Sequence, residues 1–458
     1  MSASLDHLND LASFIEASPS SFHAVAEAAR RLTAAGFTEL RESDDWPDTP
    51  DGPDAADGPA APHKRGHPGK RTDRGKNGAP TRRFVVRDGA IIAWICPKIT
   101  GPTTPFRIVG THTDSPGFAL KPKPTIGSCG WLQAGVEVYG GPLLNSWLDR
   151  ELELAGRLVF TDGGIALVRT GPFLRFAQLA VHLDRGVNAE GLVLNPQTQM
   201  NPIIGVGDPA DADIVAHLAR IAGRAGEQVT GYDIVVADTA APQVFGLHNE
   251  LFASGRLDNL SSVHAGLTAI LALPDALDQV AVFAAFDHEE VGSDTRSGAS
   301  GPFLADLLTR ISLGLGASET ERMRALADSW CLSADAGHAV HPNYPERHDP
   351  TNRPLVNRGP LLKINGNQRY ATDALGATEW ARCCRQAGIE YQEFVSNNAV
   401  PCGSTIGPLT ATRLGIRTFD VGVALLSMHS ARELCGADDP AAFTAAIEAF
   451  LAPATFPA

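Results

Sequence analysis

From residue 249 to the end of the chain, apolar runs of strand length alternate with runs of helical period. A helix around SSVHAGLTAILAL leads into the strand QVAVFAAF (279–286), a helix near 302–315, the strand WCLSADAG (330–337) and a last strand–helix pair within 416–452. Such alternation is satisfied by a layered α/β sheet with helices on both faces. Acidic residues and histidines stand just past the strand ends, where open sheets of this kind place their ligands. Ahead of this region, residues 5–36 space Leu8, Leu11, Phe14, Ile15, Val25, Ala28 and Leu32 for two amphipathic helices, broken at the N-cap-like Ser18-Pro19-Ser20-Ser21. RFVVRDGAIIAWICP (83–97) reads as a hairpin turning at Asp88-Gly89, and FRIVGTHTDSP (106–116) as a buried strand with a polar end.

Two segments differ in texture. Between about 118 and 248 the chain is rich in Gly and β-branched residues, with turn dipeptides throughout, and reads as a β-rich domain inserted into the first one. Residues 44–83 carry six Asp between 44 and 57 and then eight Lys or Arg between 64 and 83, among Pro and Gly. Too little apolar area is available there to offset the entropy of ordering, so a disordered surface insertion is expected.

Charge and cysteines exclude several functions. The net charge of −14, from 52 acidic and 38 basic residues, opposes binding to nucleic acid or to an anionic membrane surface. No run approaches the ~20 apolar residues of a membrane span, and the N-terminus lacks a signal-like basic and apolar pair of regions, so a cytoplasmic protein is expected. Seven cysteines without a CxxC pair read as reduced thiols. No GxSxG nucleophile elbow supports a serine hydrolase.

Five clusters carry the chemistry: His112-Thr113-Asp114, Asp258-Asn259, Asp287-His288-Glu289-Glu290, Asp335 in SADAGHAVHP and His429 in SMHSARE. Each is weak alone. All five end apolar runs, where a charged group is costly unless paired or metal-bound. If they converge, two His and three carboxylates form a set suited to Zn²⁺, Co²⁺ or Mn²⁺, with the short Asp258 able to bridge two ions ~3.5–4 Å apart. Glu289 and Glu290 point in different directions, so one can bind metal while the other moves protons. Asp114, on the same face of an extended segment as His112, can fix its imidazole tautomer.

The ordered motifs GTHTDSPGFALKPKP, LLNSWLDRELELAGR, SGRLDNL, FDHEEVGS, SADAGHAVHPNY, KINGNQRYATD, PCGSTIGP and MHSARE resemble the M18 metallopeptidases, the aspartyl aminopeptidases, over nearly the whole chain except 44–83. The resemblance implies a three-layer α/β/α catalytic domain from 1–117 and 249–458, with a β-rich dimerisation domain at 118–248. It implies two divalent ions, Zn²⁺ first and Co²⁺ or Mn²⁺ otherwise. His112, Asp258 and Asp335 would hold one ion and Asp258, Glu290 and His429 the other, with Glu289 as general base. Peptides with N-terminal Asp or Glu are the implied substrates, and Lys363 and Tyr370 are the candidates for binding their carboxylate. His182 resembles a position that reaches a neighbouring subunit's site, and Gly403-Ser404-Thr405 a loop lining the substrate. The implied assembly is a homo-oligomeric dodecamer built from dimers. A related co-catalytic hydrolase, such as a carboxypeptidase or amide deacylase, is the alternative. A non-catalytic subunit is disfavoured because every ligand and the base are present.

Overall fold

The computed structural model describes residues 2–46 and 80–454. Most of the stretch expected to be a disordered insertion, 47–79, lies outside the described residues. Its last residues do not: Thr81–Arg87 is a strand, two residues longer at its start than the hairpin read from composition. Thr81 and Arg82 pair with Cys96 and Ile95 of the buried Ala90–Cys96 strand, and this backbone pairing extends the hairpin past the apolar signal.

Nine strands form the main sheet, in the order 38–39, 81–87, 90–96, 280–286, 106–112, 330–334, 417–422, 361–364 and 392–395. The four central strands, 280–286, 106–112, 330–334 and 417–422, run parallel. Both faces are covered, as near-continuous apolar strands require. Ile91, Ala93, Ile95, Ala281, Phe283 and Ala285 face a core shared with the helices Ser2–Ala17, Ser21–Ala34, Leu257–Ala272, Ala374–Ala387 and Asp439–Leu451. Their neighbours Ile92, Trp94, Val280, Val282 and Ala284 face the helices Phe303–Gly314, Glu319–Ala327 and Ile406–Leu414. The alternation of side chains along each strand thus builds the three-layer α/β/α arrangement. Ser20 caps the second helix, its hydroxyl accepting the N–H of His23.

Within 117–238 the chain leaves this sheet and builds a second one, six-stranded and antiparallel, from 165–169, 152–160, 229–238, 117–128, 131–139 and 203–206. It has its own core around Phe118, Trp147, Leu154, Phe160 and Phe176. The chain returns through Leu251–Ser254, which pairs with Glu433–Gly436 in a small sheet and so brings the start of the long Leu257–Ala272 helix beside the C-terminal segment. Asp88 ties the two units, accepting from Arg157 of the second sheet at 3.1 Å and from Arg296 of the first unit.

Candidate metal centre

The parallel strands deliver their C-terminal ends to one place. His112 is the last residue of Phe106–His112, Asp335 follows Trp330–Ala334, and Glu289 and Glu290 form the turn after Val280–Phe286. Asp258 stands near the start of the long helix with non-helical φ −82°, ψ 103°, and His429 lies in a loop at φ 66°. Gly422 permits the close passage of the Asp335 segment, since a Cβ there would lie 1.8 Å from the Asp335 carbonyl oxygen.

Asp258 lies between the two histidines. His112 Nε2 is 3.4 Å from Asp258 Oδ1 and 3.4 Å from Asp335 Oδ1, while His429 Nε2 is 3.4 Å from Asp258 Oδ2 and 3.5 Å from Glu290 Oε2. Three groups of metal-type donors result: His112–Asp258–Asp335, Asp258–Glu290–His429 and His112–Glu289–Glu290. The imidazoles are oriented from behind. His112 Nδ1 faces the Asp114 carbonyl at 3.1 Å and His429 Nδ1 the Gly141 carbonyl at 3.0 Å. A carbonyl only accepts, so each Nδ1 carries a proton and each Nε2 is the ring nitrogen turned toward the carboxylates.

The side-chain carboxylate of Asp114 has another task. It accepts the backbone N–H of Glu289 at 3.0 Å, that of Glu290 at 3.1 Å and the Tyr139 hydroxyl at 2.8 Å, while its Oδ1 is 3.4 Å from His112 Nδ1. A cavity of about 320 Å³ between the two units is bordered by Asp114, Tyr139, Asp258, Asp287 and Glu433.

These residues fit divalent metal ions. Asp258 Oδ1 is buried without a hydrogen-bond partner, 3.4 Å from His112 Nε2, and a cation between such donors supplies the charge that a buried carboxylate oxygen lacks. Burial pushes Glu289 up to about 7, with Asp335, Asp258 and Asp114 adding to the rise against the pull of His112. Burial and the Asp258 charge likewise hold Glu290 well above the usual carboxylate range. Burial works against a charge on His112, yet Asp114, Asp258 and Asp335 outweigh it and raise its proton affinity. The cluster therefore attracts positive charge, and its N/O donor set suits Zn²⁺ and similar ions.

Other expected site residues fall elsewhere. Lys363 was expected to donate to a substrate carboxylate, but it is 2% exposed and its ammonium donates to Asp335 Oδ2 at 3.0 Å, the Asp335 carbonyl at 3.1 Å and the Ala336 carbonyl at 2.9 Å. All three protons are taken by the segment that carries a metal-type ligand. Tyr370 is buried with its ring 4.9 Å from the Lys363 nitrogen. Thr405 caps the Ile406–Leu414 helix and donates to Asp420 at 2.6 Å. His288 faces Thr295 at 3.0 Å, away from the cluster. His182 is exposed on a loop of the six-stranded unit, outside the cluster within one chain. Sequence reading assigned no role to Tyr139 or Glu433. Glu433 lies inside the quoted motif MHSARE, whereas nothing in the sequence around Tyr139 marks it.

A family model described as aminopeptidase I zinc metalloprotease (M18) matches residues 73–451. A probable M18 family aminopeptidase 2 of Streptomyces avermitilis is 50% identical over 450 residues, which cover 97% of each chain. In the cryo-EM structure of an Ape4 and Nbr1 complex, a chain 33% identical superposes with a TM-score of 0.87, covering 98% of this chain and 86% of that one. The yeast mApe1 dodecamer, 23% identical, shares the fold with a TM-score of 0.79 over 97% of this chain and 95% of its own. A match of this extent, on a chain that gathers two histidines and four carboxylates beside the ends of its parallel strands, places the protein: it belongs to the M18 family of metallo-aminopeptidases.

Proposed function

We propose that this aminopeptidase uses two divalent metal ions and prefers peptides with an acidic N-terminal residue. One observation carries the two-ion reading: the two oxygens of Asp258 face different histidines, each 3.4 Å away, so Asp258 belongs to both His112–Asp258–Asp335 and Asp258–Glu290–His429. Ions bound in these two sets supply Lewis acidity and a water acidified toward neutral pH. Glu289 belongs to neither triad that shares Asp258. With its affinity for a proton raised to about 7, its carboxylate is suited to take a proton from the attacking water and return it to the leaving amine nitrogen. Asp114 aims Glu289 by accepting its backbone N–H, and Lys363 steadies Asp335 by donating to its carboxylate and carbonyl.

Support for the acidic preference is electrostatic. Lys363 places a positive charge in the wall beside Asp335, with Tyr370 over it, although its protons are already engaged. Paired with Asp335, it offsets one of the carboxylate charges that would repel an acidic side chain, and it makes no direct hydrogen bond to that side chain. We also propose a homo-oligomer, as large as a dodecamer. Leu179, Val181, Leu183 and Val193, all exposed on the loops around His182, favour burial against another subunit. Seven free cysteines fit a reducing, cytoplasmic setting, and no helix among the described residues is long and apolar enough to cross a membrane.

The test is hydrolysis of a peptide with N-terminal Asp beside its Leu and N-acetyl-Asp counterparts, by wild type and Glu289→Gln, after loading with Zn²⁺, Co²⁺ or Mn²⁺. Cleavage of the free-amine Asp peptide, reduced about 10²–10⁴-fold in Glu289→Gln, is expected. Equal cleavage of the Leu peptide would remove the acidic preference, and full turnover by Glu289→Gln would remove that residue from proton transfer.

A further inference from the structure

Glu433 is 1% exposed and belongs to none of the metal-type donor groups, yet it touches two of their members. Its Oε2 accepts the backbone N–H of Asp258 at 2.9 Å and its Oε1 accepts the backbone N–H of His429 at 2.8 Å. Both backbones need holding. Asp258 departs from helical geometry inside a helical span, and His429 stands at φ 66°, in the left-handed region that a residue with a Cβ avoids. Glu433 itself is anchored by strand pairing, opposite Ser254 in the small sheet. One carboxylate on a paired strand therefore joins two loop-like segments that are remote in sequence.

The other ligands have their own supports. Asp114 holds the main chain of Glu289 and Glu290, and Lys363 holds Asp335. His112 ends a central strand. Asp258 and His429 share Glu433. We propose that Glu433 is a positioning residue that sets the distance between Asp258 and His429, and so the affinity of the Asp258–Glu290–His429 set for its ion. The inference rests on the two-ion reading above. A carboxylate suits this task because both its oxygens accept. In Glu433→Gln the volume is kept, but the amide nitrogen would face one of the two N–H donors, so one contact becomes a repulsion.

The experiment is equilibrium dialysis of the full-length protein against graded free Zn²⁺ with metal analysis, for wild type, Glu433→Gln and Glu433→Asp. Near-UV circular dichroism and the solution mass check the fold. Wild type should hold two ions per chain. Glu433→Gln should hold the ion of the Asp258–Glu290–His429 set about 10–100-fold more weakly, with a smaller loss at the set that shares only Asp258 with it. Excess Zn²⁺ should restore its peptide hydrolysis, which a general loss of structure would not allow. Should Glu433→Gln fail to fold, Glu433→Asp keeps the charge but is too short to reach both N–H groups, and the same loss, greater at the Asp258–Glu290–His429 set, is expected. Two ions at wild-type affinity in the folded variant would overturn the inference. A wild type that itself holds one ion would overturn the two-ion reading, and this inference with it.

Discussion

The phenol of Tyr139 donates to Asp114 Oδ2 at 2.8 Å, so a strand of the six-stranded unit reaches the carboxylate that holds the main chain of Glu289 and Glu290. The second unit is thereby wired into the reactive site. Tyr139→Phe keeps the ring and removes one hydrogen bond to a charged acceptor, a change worth about 1.5–3 kcal/mol at a buried site. A fall in kcat of about 10-fold, with KM little changed, is the expected result in steady-state kinetics. Wild-type kcat with a lowered melting temperature would show that the bond serves stability alone.

Lys363 and Asp335 form a buried ion pair at 3.0 Å. Removing the ammonium with Lys363→Met leaves the carboxylate without its counter-charge and two carbonyls without a donor. Breaking such a pair costs about 3–5 kcal/mol. The loss is expected in urea unfolding of chelator-treated protein, where no metal replaces the missing charge. An unchanged unfolding midpoint would show that water already screens the pair.

The packing of the N-terminal helix against the long helix predicts a pH dependence remote from the metal centre. His7 and His264 meet with ring centroids 4.9 Å apart, and His264 Nε2 is 2.7 Å from Asp10. Burial, with the charge of His264 adding to it, lowers His7 to about 4; burial also lowers His264 against the pull of Asp10. The unfolded chain therefore binds more protons than the folded one below the ordinary histidine value of 6.5, and stability falls as pH drops from 6.5 to about 4. His23, lowered to about 4 by burial and by Arg169 and Arg256, acts with the same sign. Melting temperatures from pH 7.5 to 4.5 should decline, and less steeply in His7→Gln. Equal slopes for the two proteins would remove His7 from the effect.

The strand–helix alternation after residue 249, and the metal-type residues at the ends of its apolar runs, could be read from the chain alone. Side-chain periodicity is local, and a charged group beside a buried strand has few inexpensive explanations. The short strands Leu361–Ile364 and Gln392–Val395 escaped that reading, since four residues carry little periodic signal. Lys363 was read from its sequence as a binder of a substrate carboxylate; that its three protons meet acceptors on Asp335 and Ala336 within 3.1 Å is visible only in the folded chain. Tyr139 and Glu433 gained their roles only when folding brought them to Asp114, Asp258 and His429. Which residue types could hold a metal is a matter of chemistry, and the sequence determined it. Which groups orient those ligands depends on hydrogen bonds between separate elements, such as Asp114 with Glu289 and Glu433 with Asp258, each 175 residues apart and set by distances of about 3 Å, and only the tertiary structure decides them.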